Sequence, residues 1–377
     1  MAILSYKFRI EPSRTQSATL SAMMRDFCHL YNAALEHRIA AYRKGVTIKR
    51  NEQIVTLPVI RRDAPETHGR WSCTAQQQVL RKLDKAYQAF FGRISRGVKS
   101  GFPRFRASAR YHAADFRVGD GMTIRKSGKL GFVGVPGEIK VRWHRDMPSK
   151  PKSAILTRQA GKWYVIFHVE IEADDANRNE ASIGIDFGLT NLVALSTGET
   201  ISRPGWTKRA ARELRRRQRA ISRCKRGSNV RRKRVAVLAK FSGQVAAKRR
   251  DFCHKLTRDL VNRFGRIAVE DLNIKGLARS MLAKHIHDAA WAQIATFASY
   301  KAANAGGEVT KVDPRGTSQE CPGCGQIVAK TLATREHRCE CGCVLDRDVA
   351  AAMVVHFRAF GFWPGAGLGQ LSVPVAA

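Results

Sequence analysis

The sequence predicts a multidomain α/β protein, and three observations carry that expectation. The chain has 377 residues and a mass of 42.0 kDa, beyond the roughly 250–300 residues at which one hydrophobic core stops growing. A polar stretch at 173–181, Ala-Asp-Asp-Ala-Asn-Arg-Asn-Glu-Ala, changes the character of the chain near its middle and reads as a linker. Before it, helical stretches lead into short alternating runs separated by glycines; after it, strands and helices alternate. At 44% hydrophobic and 26% charged residues the chain is globular. No run approaches the roughly 20 apolar residues that a membrane span needs. The opening Met-Ala-Ile-Leu-Ser-Tyr-Lys-Phe-Arg has no apolar stretch before a small-residue cleavage site, so secretion is not expected.

Residues 3–10 alternate as a strand that ends before Pro12. From Ser13, Leu20, Met23, Met24, Phe27, Leu30, Tyr31 and Leu35 recur on one helical face. A second helix is expected from about Thr74, with Val79, Leu83, Tyr87, Phe90, Phe91 and Ile94 inward and fraying near Gly97. In Gly101-Phe102-Pro103-Arg104-Phe105-Arg106 aromatics interleave with cations, which suits stacking on bases and pairing of Arg104 and Arg106 with phosphates. Residues 115–172 read as a small β-barrel or sheet. The tail after Phe362 is rich in glycine, proline and small residues and is expected to be mobile. No internal repeat is visible.

Charge narrows the partners. The chain carries 67 Lys+Arg against 31 Asp+Glu, a net +36, with a pI of about 10.6, which favours a polyanion, nucleic acid above all. Between Trp206 and Arg250 there are 18 Lys+Arg and one acid, Glu213. Leu214, Ile221, Val235 and Leu238 give this stretch helical character, interrupted at Gly227-Ser228. Arg215, Arg216, Arg217, Arg231, Arg232, Lys233 and Arg234 are the expected contacts there. A structural RNA binder would have the same charge, so the chemistry has to be sought elsewhere.

Five of the nine cysteines fall between Cys321 and Cys343, a clustering that points to metal rather than disulfides. Cys321-Pro-Gly-Cys324-Gly reads as one zinc knuckle, and 14 residues further on comes Cys339-Glu-Cys341-Gly-Cys343. Four thiolates close a tetrahedral structural site at about 2.3 Å per Zn–S bond. Because Cys341-Gly342 mirrors Cys324-Gly325, the expected ligands are Cys321, Cys324, Cys339 and Cys341, with Cys343 an alternative to Cys341. Cys28, Cys73, Cys224 and Cys253 read as small packed hydrophobes.

Three carboxylates stand out. Asp186 ends the apolar run Ile183-Gly184-Ile185 and Glu270 ends Arg266-Ile267-Ala268-Val269. Asp346-Arg347-Asp348 opens a helix reaching Phe360, where acids act as caps and favour the dipole. Taken together, two strand-borne acids and one from a helix's first turn can form a cluster whose burial requires cations. Two Mg²⁺ ions about 4 Å apart would neutralise them and clamp the attacking water and leaving oxygen of a phosphodiester.

Gly184-Ile185-Asp186-Phe187-Gly188, Val269-Glu270-Asp271-Leu272-Asn273, Thr317-Ser318-Gln319 leading into Cys321-Pro-Gly-Cys324-Gly, and Asp346-Arg347-Asp348-Val349 together closely resemble the TnpB family. These are compact RNA-guided DNA nucleases encoded by insertion sequences and related to type V CRISPR effectors. The resemblance implies an RNase H-like RuvC nuclease domain (181–316 and 346–362) with an inserted zinc ribbon (317–345). It also implies an N-terminal wedge β-barrel (1–12 and 113–175) with an inserted helical recognition lobe (13–112), leaving 363–377 as a tail. Carried over residue by residue, Asp186, Glu270 and Asp348 are the triad that holds two Mg²⁺, with Mn²⁺ able to substitute; one Zn²⁺ is structural. Asp346 is left as the N-cap, and Arg335 matches a ribbon arginine that approaches the scissile phosphate. Ala350 replaces the asparagine usual two positions after the last acid, a change that removes no ligand and is expected to leave activity in place. The implied partners are a guide RNA encoded near the gene, one protein per guide, and double-stranded target DNA cut beside a short flanking motif. The implied location is the bacterial or archaeal cytoplasm, at the nucleoid. The alternatives are a small type V CRISPR-like effector, or an RNA-guided DNA binder with weak or no cleavage.

Overall fold

A computed structural model describes residues 2–171, 179–277, 289–331 and 334–364. The chain divides into two compact units, Met1–Glu172 and Ala173–Ala377. Most of the expected linker, 173–178, and most of the expected tail, 365–377, lie outside the described residues. No helix among the described residues is long and apolar enough to cross a membrane.

In the first unit, strand β1 (Ala2–Glu11) is followed by helices α1 (Arg14–Arg43), α2 (Arg50–Val55), α3 (Leu57–Asp63) and α4 (Cys73–Ile94). Strands β2 (Ala113–Val118), β3 (Gly121–Ile124), β4 (Leu130–Phe132), β5 (Lys140–Arg142), β6 (Ser153–Gln159) and β7 (Lys162–Ile171) come next. They form one seven-stranded sheet in the order β4-β3-β2-β6-β7-β1-β5. Its two end strands meet where Leu130 and Ile139 exchange both backbone hydrogen bonds, at 2.9 and 2.8 Å. The sheet therefore closes on itself, and closure removes the exposed edges that invite misassembly.

Ser13 and Gln16 cap α1 reciprocally, so the helix starts where Pro12-Ser13 stops the strand. Its predicted face, Leu20 to Leu35, is buried. These side chains share one core with barrel residues such as Phe8, Phe116 and Phe167. The inward face expected for α4 needs correction: Val79 and Leu83 are buried, but Phe91 and Ile94 are 59% and 50% exposed. Periodicity defines a face, not how far along the helix the core reaches. At 22 residues, α4 is roughly 33 Å long, and its last turns outrun that core.

The second unit is a mixed α/β layer structure. Strands β8 (Ser182–Asp186), β9 (Asn191–Leu195), β10 (Thr200–Ser202), β11 (Arg266–Glu270) and β12 (Glu308–Val312) form a sheet in the order β10-β9-β8-β11-β12. The β8–β11 and β11–β12 pairs are parallel; β8–β9 and β9–β10 are antiparallel. Helices α5 (Trp206–Ser222) and α6 (Asn229–Arg263) carry the basic stretch, α7 spans Trp291–Asn304, and α8 spans Arg347–Phe360. Ser228 caps α6 through the Arg231 N–H, at the predicted break.

The strand period of two splits the sheet's side chains between layers. Ile183, Ile185, Ile267 and Val269 pack with Cys253, Leu256, Leu260, Trp291 and Ile294 from α6 and the start of α7. Ala194 packs with Val349 and Met353 of α8, and Ala268 and Val312 with Val355 of the same helix. A two-stranded ribbon, β13 (Glu336–Arg338) and β14 (Val344–Asp346), leads directly into α8.

Candidate active site and thiolate cluster

The acid cluster begins with a register. Parallel strands β8 and β11 pair Ile185 with Val269, so the next residues, Asp186 and Glu270, end adjacent strands side by side. Ligand sites of parallel sheets form at such carboxyl ends. Because Ile185 and Val269 face α6 and α7, the alternation turns Asp186 and Glu270 toward the α8 layer.

Gly184 lets that layer come close. A Cβ there would lie 2.1 Å from the Ala352 carbonyl oxygen and 2.7 Å from the His356 backbone nitrogen, so only glycine admits α8 at this distance. Asp348, buried in the first turn of α8, is thereby brought to the two strand ends. As expected, Asp346 is the N-cap, accepting from the N–H groups of Asp348 and Val349 at 2.9 and 3.2 Å. Gly188 closes the other side: a Cβ on it would stand 3.3 Å from Asp348 Oδ2.

Electrostatics show that Asp186 feels both other acids. Asp186 is pushed well above the usual carboxylate range, first by burial and then by the charges of Glu270 and Asp348, with Arg347 and the Phe187 N–H opposing. Burial also raises Glu270, while the Thr317 hydroxyl, donating to its Oε1 at 2.6 Å, pulls the other way. Arg347 donates to Asp348 Oδ1 through Nη2 and Nε, at 2.9 and 3.2 Å, and through Nη1 to the Thr334 carbonyl at 3.1 Å. A carboxyl raised by two neighbouring acids, as Asp186 is, fits a divalent cation, whose charge would reverse the shift.

Arg335, the arginine expected near the reacting phosphate, is exposed, and among the described residues no hydrogen bond or ion pair holds its guanidinium. Among the described residues, the guanidinium bonded to one of the three acids is that of Arg347, on Asp348. Arg347 and Thr317 both belong to recognisable motifs, Asp-Arg-Asp and Thr-Ser-Gln, but nothing in their spacing shows that their side chains turn toward the acids.

The sulfurs of Cys321, Cys324, Cys339 and Cys341 all lie within 4.8 Å of one another. Cys321–Cys341 is 3.6 Å and Cys324–Cys339 is 3.5 Å. A tetrahedron with 2.3 Å metal–sulfur bonds has edges of about 3.8 Å, so this donor set fits a zinc ion. Left to themselves the thiols divide: Cys339 falls to about 7, while Cys321 and Cys324 rise to about 11 and about 12. Cys343 stands outside this quartet, buried in a group with Cys321 and His337. Of the four scattered cysteines, Cys28 and Cys253 are buried, whereas Cys73 and Cys224 are partly exposed.

The basic stretch forms α5 and the first half of α6. One face of α5 lines a groove of about 530 Å³ with Arg212, Arg215, Arg216, Arg219 and Arg223. Not every predicted cation is spare. Glu213, held down at about 2 by hydrogen bonds from Arg216 and then Arg217, engages both. Arg231 and Arg234 tie the two helices together by donating to the Ile221 and Ala220 carbonyls, at 3.0 and 2.7 Å. Arg232 bonds Asn229, while Arg215 and Lys233 are exposed. Arg104 and Arg106 are exposed in the first unit.

A mixed α/β unit with acids at parallel strand ends, followed by a four-thiolate knuckle, defines a class that the sequence comparisons specify further. A family described as "Probable transposase" (OrfB_IS605) matches residues 166–281, and "Cas12f1-like, TNB domain" matches 291–355. "Helix-turn-helix domain" (HTH_OrfB_IS605) matches 1–46, which here fold as β1 and the single long helix α1. A protein of Streptomyces pristinaespiralis named "Putative RNA-guided DNA endonuclease" is 32% identical over 92% of this chain and 87% of its own length. "Putative RNA-guided DNA endonuclease InsQ" of Escherichia coli K12 is 26% identical over 89% and 87%. The chain belongs to the TnpB family. Its fold is shared with the protein in a cryo-EM structure of a Cas12f1–sgRNA–target DNA complex, at a TM-score of 0.58 and 14% identity, covering 91% of this chain and 82% of that one.

Proposed function

We propose that this protein is an RNA-guided DNA endonuclease that hydrolyses phosphodiesters at Asp186, Glu270 and Asp348. The observation that carries the reading is the meeting of these acids, from two parallel strand ends and one helix start, in a chain of net charge +36. A basic protein gains nothing by gathering a buried Asp348 and half-buried Asp186 and Glu270 unless cations and phosphate meet there. In this reading the second unit is an RNase H-like RuvC nuclease, with residues 317–345 as its zinc ribbon. The closed sheet is the wedge barrel, and residues 13–112 form the recognition lobe.

The three carboxylates would hold a pair of Mg²⁺ ions, which supply charge neutralisation and an acidified water when bound. Thr317 fixes the Glu270 carboxylate through its hydroxyl, and Arg347 fixes Asp348. Gly184 and Gly188 set how closely the acids approach. Cys321, Cys324, Cys339 and Cys341 would hold one structural Zn²⁺ and so orient the β13–β14 ribbon that feeds α8. The face of α5 with exposed Arg215 and Arg216, and the start of α6 with exposed Arg232 and Lys233, would hold backbone phosphates of guide RNA or DNA, while base pairing reads the target. The relatives named RNA-guided DNA endonucleases, aligned along nearly the whole chain, support the same reading.

The test is a cleavage assay with the RNA that copurifies with the protein. Guide-matched duplex should be cut only with Mg²⁺ or Mn²⁺, and Asp186→Ala should abolish cutting while RNA binding persists. Undiminished cutting by Asp186→Ala would end the proposal.

A further inference from the structure

The first unit carries an aromatic surface that its own core leaves uncovered. The end of α4 and the Gly101–Arg106 loop bring Tyr87, Phe90, Phe91 and Phe102 together. Phe102 stands edge-on to Tyr87 at 5.5 Å and to Phe90 at 5.3 Å, and Phe91 packs on Phe90 at 5.1 Å. Yet Phe91 and Phe102 remain 59% and 46% exposed, and Phe105, three residues on, 57%. An exposed apolar patch of this kind marks a site for a partner.

The loop is held firmly. Pro103 is buried, and Asn32 grips the Arg106 backbone from both sides, accepting from its N–H and donating to its carbonyl, each at 2.9 Å. The Arg106 guanidinium lies over the Tyr31 ring at 4.7 Å. Phe102, Arg104 and Phe105 are therefore presented outward on a fixed backbone, and among the described residues no hydrogen bond or ion pair engages the Arg104 side chain.

Charge selects the occupant. From Lys85 to Ala114 there are seven Lys/Arg and no Asp or Glu. A second copy docking here about a twofold axis would set two such cation groups against each other. An unpaired nucleic-acid strand instead offers a π face with every base and a negative charge with every phosphate. We propose that this surface is a stacking platform for unpaired bases of a polynucleotide strand, with Phe91, Phe102 and Phe105 against the bases and Arg104 on a neighbouring phosphate. The inference rests on the nucleic-acid reading above.

The test irradiates the full-length protein with short oligonucleotides carrying 5-iodouracil, one of DNA and one of RNA, and maps the adducts by mass spectrometry. Adducts should fall on Phe91, Phe102 or Phe105, and the two arms tell which kind of strand is preferred. The double variant Phe91→Leu, Phe102→Leu should melt as the parent does and bind the base-bearing strand about tenfold more weakly. Its affinity for an abasic strand of equal length should be unchanged, whereas Arg104→Ala should weaken both. Adducts elsewhere only, or equal losses for abasic and base-bearing strands, would overturn the platform. So would a parent dimer that the double variant converts to monomer with strand binding intact, since the patch would then serve a protein partner. If both strands bind without adducts at these residues, the platform alone is lost; if neither strand binds, the nucleic-acid reading is lost with it.

Discussion

In the first unit the seven-stranded sheet closes through Leu130 and Ile139, whereas in the second the five-stranded sheet stays open between β10 and β12. The closed sheet is antiparallel in all but its β2–β3 pair and encloses a core it shares with α1 and α4. In the same unit the Gly101–Arg106 loop leaves cations and aromatics on the surface. The open sheet joins two parallel strands at its centre, and their carboxyl ends put Asp186 and Glu270 next to each other beneath α8. The difference teaches where acids can be concentrated in so basic a chain. A parallel pair aligns the ends of its strands, and a helix crossing the same face delivers a third group; a closed antiparallel barrel sends neighbouring strand ends to opposite rims.

The comparison is broken most directly at Gly184. Gly184→Ala would drive a methyl into the Ala352 carbonyl, lifting α8 and Asp348 away from the strand ends. Cleavage should fall at least about a hundredfold and stability by about 1–3 kcal/mol, read by a cleavage time course and a thermal melt. A matched overpacking of the barrel, Gly131→Ala beside the flexible Arg125 side chain, should leave the cleavage rate within about twofold.

The thiolate quartet sharpens the contrast next. Cys341→Ser should cost the bound zinc, measured as metal per chain by elemental analysis, and should lower the melting temperature. Cys343→Ser should keep one zinc per chain, because Cys343 lies outside the quartet. Equal metal loss from both variants would make Cys343 a ligand.

Smaller still is the effect at Thr317. Thr317→Val removes the hydroxyl that holds Glu270 Oε1 and should slow cleavage about tenfold with RNA affinity unchanged. Single-turnover rates set beside filter binding would check this.

The smallest effect concerns α6 and α7. Lys301 is buried and donates to the His254 carbonyl at 2.6 Å and the Thr257 hydroxyl at 2.7 Å. Burial lowers it to about 8 from 10.5. The folded chain therefore gives up this proton before the unfolded chain does, and between about pH 8 and 10.5 the unfolded state binds more protons, so stability rises with pH. Lys301→Met lacks that dependence, and its advantage in urea midpoint over the parent should narrow from pH 7.5 to pH 10. A constant difference across that range would show that Lys301 titrates normally.

Much of the local structure was legible because it is enforced by neighbours in sequence. Pro12-Ser13 separates β1 from α1, Gly227-Ser228 separates α5 from α6, and Asp346 caps α8, each through contacts within a few residues. The motifs around Asp186, Glu270 and Asp348 are legible through their resemblance to those of the TnpB family. Other features were not. Phe91 and Ile94 lie on the predicted apolar face of α4, but the core ends before it reaches them. Arg335 drew notice by its place in the ribbon, while Arg347, hidden between two acids, is the guanidinium that bonds Asp348. Cys343 could be set apart from Cys341 only once the sulfurs had positions.

By itself the sequence determined the net charge, the apolar faces, the caps and breaks, and the kinds of side chain available for holding metal. The tertiary structure alone decided which acids face one another, since that depends on a parallel register spanning some 80 residues of chain and on how near α8 can approach Gly184. Charge, periodicity and capping are short-range properties, written in residue order. Strand register and helix approach are settled by packing between segments far apart along the chain, where one missing Cβ admits an entire helix.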